Sequence, residues 1–204
     1  MIALLDTAPD VAVDAAEYQR LLGYPREHAL EGRALELMAW ARDWYARHGH
    51  PWVVARPATR VAVGEYAVEI DDESFTSPRL VRAMREASAD AAVLVAASAG
   101  PELEAEAQRL WREEKPDEYF FLEVYGSAVV EHLVTMAGAR LCAAADGAGR
   151  AVLPHQSPGY AAWDVADQGR LLEVVRRTGA LPGPLEALDS GMLRPKKSLL
   201  ALFG

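Results

Sequence analysis

The chain has 204 residues, 51% of them hydrophobic, and a formal net charge of −9. This length suits one domain or two small ones, and this apolar share excludes a disordered chain. The acidic balance excludes nucleic acid as an expected partner, because phosphate binding needs a basic face and the one dense basic patch is "RPKK" at 194–197.

From the N-terminus, "MIALLDTAPD" has no basic region ahead of its apolar residues and does not read as a signal peptide. Residues 15–25 place Tyr18, Leu21 and Leu22 at helical spacing, closed by Gly23 and Pro25. Residues 29–49 predict a stronger helix with a stripe of Leu30, Leu35, Met38, Ala41 and Tyr45, stopped by Gly49. The alternation over 60–71 predicts a strand with a bulge or turn at Gly64. Ser77 and Pro78 open a helix over 77–89. "AAVLVAAS" at 91–98 is apolar on both faces, which predicts a central strand.

A helix over 101–115 starts at Pro101 with acids in its first turn, and a long helical pattern follows over 117–141. In it Gly126, Ser127 and Ala128 form a small-residue patch that permits close approach of another backbone. Residues 143–160 read as a loop. The next helix, 163–179, takes Asp164 as its cap, a short strand and turn follow, and "KSLLALFG" ends the chain as a strand. No uninterrupted apolar run reaches the roughly 18 residues that span a bilayer, so no membrane span is expected. The single cysteine, Cys142, leaves no internal disulfide and reads as a small buried hydrophobe, and the expected compartment is the cytoplasm.

Few motifs carry chemistry. There is no phosphate-binding glycine loop, no nucleophile elbow and no HExxH. His48 and His50, two residues apart at a helix end, read as a surface terminus rather than a metal site, because structural zinc needs four ligands. Glu131 is a carboxylate on an otherwise apolar helix face: it either reaches solvent or an arginine, or points into a pocket. "HQSPGYAAWDVADQ", His155 to Gln168, is either a turn that launches a helix or a ligand site. There Gly159 can take a positive φ and let a ligand approach the backbone, and Tyr160 and Trp163 could stack on a flat group.

Three stretches occur in a familiar order: "GSAVVEHL" (126–133), "SPGYAAWDVADQGRLLEVV" (157–175) and "SGMLRPKKSLLALFG" (190–204). With "YQRLLGYP" and "LVAASAGPELEAEAQRL", they make most of the chain resemble the activation domain of vitamin B12-dependent methionine synthase, in its short, free-standing form. The resemblance implies an α+β fold: a single C-shaped domain over 1–204, with a bent, mostly antiparallel sheet and flanking helices. It implies S-adenosylmethionine as ligand and methyl donor. It also implies a corrinoid carried by a separate corrinoid-binding or methyltransferase protein, and a flavoprotein as reductant.

By the same resemblance the ligand residues are His155, Ser157, Pro158, Gly159, Tyr160, Ala161 and Trp163, with Glu131, Ser198 and Phe203. Two positions depart from the family pattern: His155 stands where the family has an arginine, and Phe203 stands near its tyrosine hydroxyl. Histidine cannot reproduce an arginine fork on a carboxylate. Two other readings therefore stand beside the first: a non-catalytic, partner-binding subunit that kept the fold and lost the ligand, and an enzyme that reuses the cleft with His155 as acid or base.

Overall fold

The computed structural model describes residues 3–25 and 27–204; Met1, Ile2 and Arg26 lie outside the described residues. Its centre is a four-stranded antiparallel sheet, built from β1 (Leu4–Asp6), β2 (Trp52–Pro57), β6 (Val93–Ser98) and β9 (Ser198–Phe203) in that order. As its apolar sequence requires, β6 is central and every residue in it is buried.

Alternation along these strands sends their side chains to two cores. Val53, Ala55, Val93, Val95, Ala97, Ala201 and Phe203 face one side. There they meet α1 (Ala15–Leu21), α2 (Gly32–His48), α4 (Pro101–Arg112) and α5 (Pro116–Asp146). Trp52, Val54, Leu94, Ala96, Leu200 and Leu202 face the other side. That side is covered by α3 (Pro78–Glu86), α6 (Asp167–Arg177) and a small sheet of β3 (Val61–Val63), β4 (Val68–Ile70) and β5 (Glu73–Phe75).

β9 is an edge strand, and an open edge would leave unpaired N–H and C=O groups. Residues 153–156 close it. Gln156 exchanges both backbone hydrogen bonds with Leu202, at 2.9 and 2.8 Å, and Leu153 N–H donates to the Gly204 carbonyl at 2.9 Å. The remaining pair, β7 (Glu186–Ala187) and β8 (Leu193–Arg194), forms a short hairpin beside α6.

Several expectations change. The segment 60–71 is not one bulged strand. It reverses after Gly64, whose N–H donates to the Ala67 carbonyl at 2.9 Å, and pairs with itself as β3 and β4. α5 runs to Asp146, so the loop begins later than expected; Ala143 to Ala145 are good helix formers and extend it. The α2 stripe is Leu37, Ala41 and Tyr45, while Leu35 stays half exposed.

Asp164 does not cap α6. Its carboxylate accepts the Ala166 N–H at 2.9 Å in the preceding turn, and the helix starts at Asp167. Cys142 is exposed rather than buried. It follows Leu141, which holds the core position, and one helical step turns the thiol outward.

The sequence holds no unbroken apolar run of membrane length, yet α5 is long and apolar enough to span a bilayer, with a mean hydropathy of 1.3 over its best 18 residues. In the fold one face of it is turned to the interior. Leu122, Val129, Leu133, Val134 and Ala137 are buried against α1, α2, α4 and the sheet.

Candidate functional site

The pairing of 153–156 along β9 decides where His155 points. Gln156 sits opposite Leu202, so His155 falls opposite Phe203, and both rings face α5. The rings stand 5.4 Å apart, tilted by 47°. α5 can come this close because Gly138 has no side chain; a Cβ there would lie 3.0 Å from the Phe203 ring.

After Gln156 the chain folds into a compact turn. The Tyr160 N–H donates to the Ser157 carbonyl and the Trp163 N–H to the Tyr160 carbonyl, both at 3.0 Å, and the Gly159 N–H donates to the Trp163 carbonyl at 2.9 Å. Gly159 takes φ +92°, and a Cβ there would meet nothing nearer than 3.7 Å. The glycine is needed for its backbone angle, not for space.

This turn delivers Tyr160 to Glu131, which α5 presents two helical turns before Gly138. The Tyr160 hydroxyl donates to Glu131 Oε1 at 3.1 Å. His155 Nε2 lies 3.4 Å from the same hydroxyl, and the two rings are 5.8 Å apart. With the phenol proton given to Glu131, the imidazole takes its Nε2–H form and donates to the phenol oxygen, an assignment made from the network. Burial, the Glu131 charge and the hydrogen bond donated to Glu131 push the Tyr160 phenol up to about 12.

Burial pulls His155 below its ordinary value of 6.5, with the Glu131 charge acting the other way. The neutral imidazole is therefore favoured in the fold, while the unfolded chain takes up a proton near 6.5. Stability is full above about pH 6.5 and falls as the pH drops below it. Thermal midpoints measured from pH 7.5 down to about pH 5 should decline less steeply for His155→Gln than for the native chain. Parallel profiles would show that His155 is not the group responsible.

The expected site residues do not all meet. Glu131, His155, Tyr160 and Phe203 form one cluster. Ser157 is buried beneath it; among the described residues its hydroxyl makes no hydrogen bond of good geometry, and the group it acts on is the Tyr160 phenol. Pro158 is buried and its carbonyl accepts from Gln168 Nε2 at 3.1 Å, whereas Gly159 and Ala161 are exposed at the rim.

Trp163 turns away. It is buried on the opposite side of the sheet from Phe203, edge-on to Phe75 at 5.7 Å, and its indole N–H donates to Asp167 Oδ2 at 2.9 Å. Ser198 begins β9 while Phe203 ends it, so they are separated by roughly 16 Å. The Ser198 hydroxyl donates to Ser98 Oγ at 2.9 Å. Nearby, Lys197 Nζ reaches Ser127 Oγ at 2.9 Å and Glu123 Oε2 at 3.1 Å.

The histidines of "HGHP" take separate partners, His48 on the Trp44 carbonyl at 2.7 Å and His50 on Glu102 at 3.1 Å. Sequence reasoning missed Gln156 and Phe75, which set the pose of the loop. The alternation in "LPHQS" was the available signal for Gln156.

Two hollows bear on what the cluster can do. A small apolar pocket of about 180 Å³, lined by Val93, Leu141, Ala145, Val152 and Gly204, shares Phe203 with the cluster. A larger open cleft of about 1010 Å³ lies between α4 and the 179–186 loop and holds none of the expected residues. Glu131, His155, Tyr160 and Ser157 line neither hollow; they adjoin the first through Phe203, which His155 flanks, and that link favours it over the larger cleft. A carboxylate, a phenol and an imidazole in series beside an apolar wall suit binding and orienting a ligand that is flat at one end and polar at the other.

No family model matches the chain, and no curated protein matches it in sequence. Solved structures do. The crystal structure of the MetH reactivation domain bound to AdoHcy matches 99% of this chain and 77% of its own length, with a TM-score of 0.71 and 14% sequence identity. The chain has the fold of that domain: a mostly antiparallel sheet with flanking helices.

Proposed function

We propose that this chain binds an S-adenosyl ligand at the turn formed by Ser157 to Tyr160 and assists methyl transfer to, or reductive reactivation of, a corrinoid held outside these 204 residues. The observation that carries this reading is joint. The fold matches that of a reactivation domain bound to AdoHcy, and Glu131, His155, Tyr160 and Phe203, far apart in sequence, converge beside an open glycine turn. The residues present fit such a ligand. The buried Ser157 hydroxyl lies beside the Tyr160 phenol, Gly159 leaves backbone open to approach, and the pocket at Phe203 offers the base an apolar wall.

The work done by these side chains is positioning. Glu131 and Tyr160 hold the polar tail, Gly159 admits the ligand to the backbone, and Phe203 excludes water from one face of it. The cobalt of a bound corrinoid supplies the methyl acceptor. A corrinoid-bearing partner and a flavoprotein reductant, with a cytoplasmic setting, complete the scheme.

The test is calorimetric titration of the chain with S-adenosylmethionine, AdoHcy and 5′-methylthioadenosine, repeated on Gly159→Val. A side chain at φ +92° is strained, at roughly 1–3 kcal/mol, and re-poses the turn. Binding to the native chain and a loss of roughly tenfold or more in the variant is the expected result. No heat from any of the three ligands up to millimolar would overturn the reading, and the chain would then be a partner-binding subunit that kept the fold.

A further inference from the structure

The cluster has an electrostatic character that the binding reading leaves unused. Four groups face one another there: the Glu131 carboxylate from α5, the His155 imidazole and the Tyr160 phenol from the loop, and the Phe203 ring from β9. Among the described residues, no Lys or Arg makes a hydrogen bond or an ion pair with any of the four. Arg20 acts on Glu131 from α1, but its exposed guanidinium is already held by both Glu17 oxygens, at 2.8 and 2.6 Å.

An arriving carboxylate would therefore meet another carboxylate, and the nearby cations among the described residues are already paired, Arg20 with Glu17 and Arg150 of the adjoining pocket with Asp90. An arriving ammonium or sulfonium would meet a carboxylate and three aromatic rings whose faces attract positive charge. The donors available to an anion are weak ones. The phenol proton is committed to Glu131 and the imidazole proton to the phenol.

We infer that the Glu131–Tyr160–His155–Phe203 cluster selects an adenosyl ligand whose tail is cationic and carries no carboxylate, such as an S-adenosyl sulfonium ending in an amine. This rests on the adenosyl-ligand reading above and narrows it to a substrate class. Glu131 takes the tail ammonium, the Tyr160 and His155 rings flank it, and Ser157 Oγ remains as a neutral donor or acceptor. Burial keeps the imidazole uncharged at neutral pH, so His155 adds no positive charge that an amino-acid tail could use.

The experiment is titration of the native chain, Glu131→Gln and His155→Arg, at about pH 7.5, above the ordinary imidazole range. The probes are S-adenosylmethionine, its decarboxylated form S-adenosyl-3-methylthiopropylamine, and 5′-methylthioadenosine as the tail-free reference. The decarboxylated ligand should bind the native chain roughly tenfold more tightly than S-adenosylmethionine. That gap should shrink to about twofold in Glu131→Gln and reverse in His155→Arg, while the tail-free reference changes little. Glu131→Gln keeps the shape of the side chain, so a shrinking gap is not a folding effect.

S-adenosylmethionine binding as tightly as the decarboxylated ligand, or a gap unchanged in Glu131→Gln, would overturn the inference and leave the adenosyl site standing. No binding by any probe, the tail-free reference included, would overturn the site itself.

Discussion

Trp163→Ala should cost about 3–5 kcal/mol of folding stability, the largest loss expected from any single site in the loop. The indole is buried, packs edge-on against Phe75, and donates its N–H to the Asp167 carboxylate, which also accepts from Arg170. Its removal leaves a cavity between α6 and β5 and takes a hydrogen-bond donor from a buried carboxylate. Urea unfolding gives the number. Trp163→Phe keeps a ring against Phe75 and should lose only about 1–2 kcal/mol, the share of the N–H bond.

The same pair of variants separates two roles. If Trp163 is a core residue, Trp163→Phe binds an adenosyl ligand within about twofold of the native chain once both are folded. A tenfold loss of affinity at unchanged stability would instead make it a stacking platform.

Gly126→Val should destabilise the chain by about 3 kcal/mol, toward the upper end of what overpacking costs. A Cβ at this position would stand 2.6 Å from Leu103 Cδ1 and 2.9 Å from Lys197 Cγ. Neither neighbour can give way cheaply. Leu103 is fully buried where α4 meets α5, and Lys197 is held by Ser127 and Glu123. Gly126→Ala should shift the unfolding midpoint in the same direction by less. Combining Gly126→Ala with Leu103→Ala should show a favourable coupling, because the smaller partner makes room for the added methyl. Additive losses would show that the two residues do not compete for one space.

These variants lie in parts of the chain that differed in how openly the sequence declared them. The small-residue patch at 126–128 reads directly as a place of close approach, because only side-chain size matters there. The partners Leu103 and Lys197 do not, since they lie 23 and 71 positions away. The turn at Pro158–Gly159 is likewise local chemistry, set by one residue that fixes φ and another that accepts a positive one. Trp163 shows the limit of such reading. An aromatic next to a glycine turn has the same sequence signature whether it faces a ligand or the core, and the start of α6 at Asp167 decided it for the core.

What the sequence determined by itself was everything that depends on neighbours within a few positions. That includes the helix starts at Ser77–Pro78 and Pro101, the central place of a strand apolar on both faces, and the glycine turn. Its ordered motifs also carried the resemblance to a fold that the solved reactivation domain shares. What only the tertiary structure decided was which distant groups meet. Glu131 precedes Tyr160 by 29 positions and Phe203 follows it by 43, so their contact depends on the pairing of 153–156 with the edge of β9. That pairing also fixes which face His155 occupies, because a shift of one residue would turn it to the opposite side of the sheet. Ser198 and Phe203, five residues apart and equally plausible as ligand contacts in sequence, were parted by the rise of one extended strand.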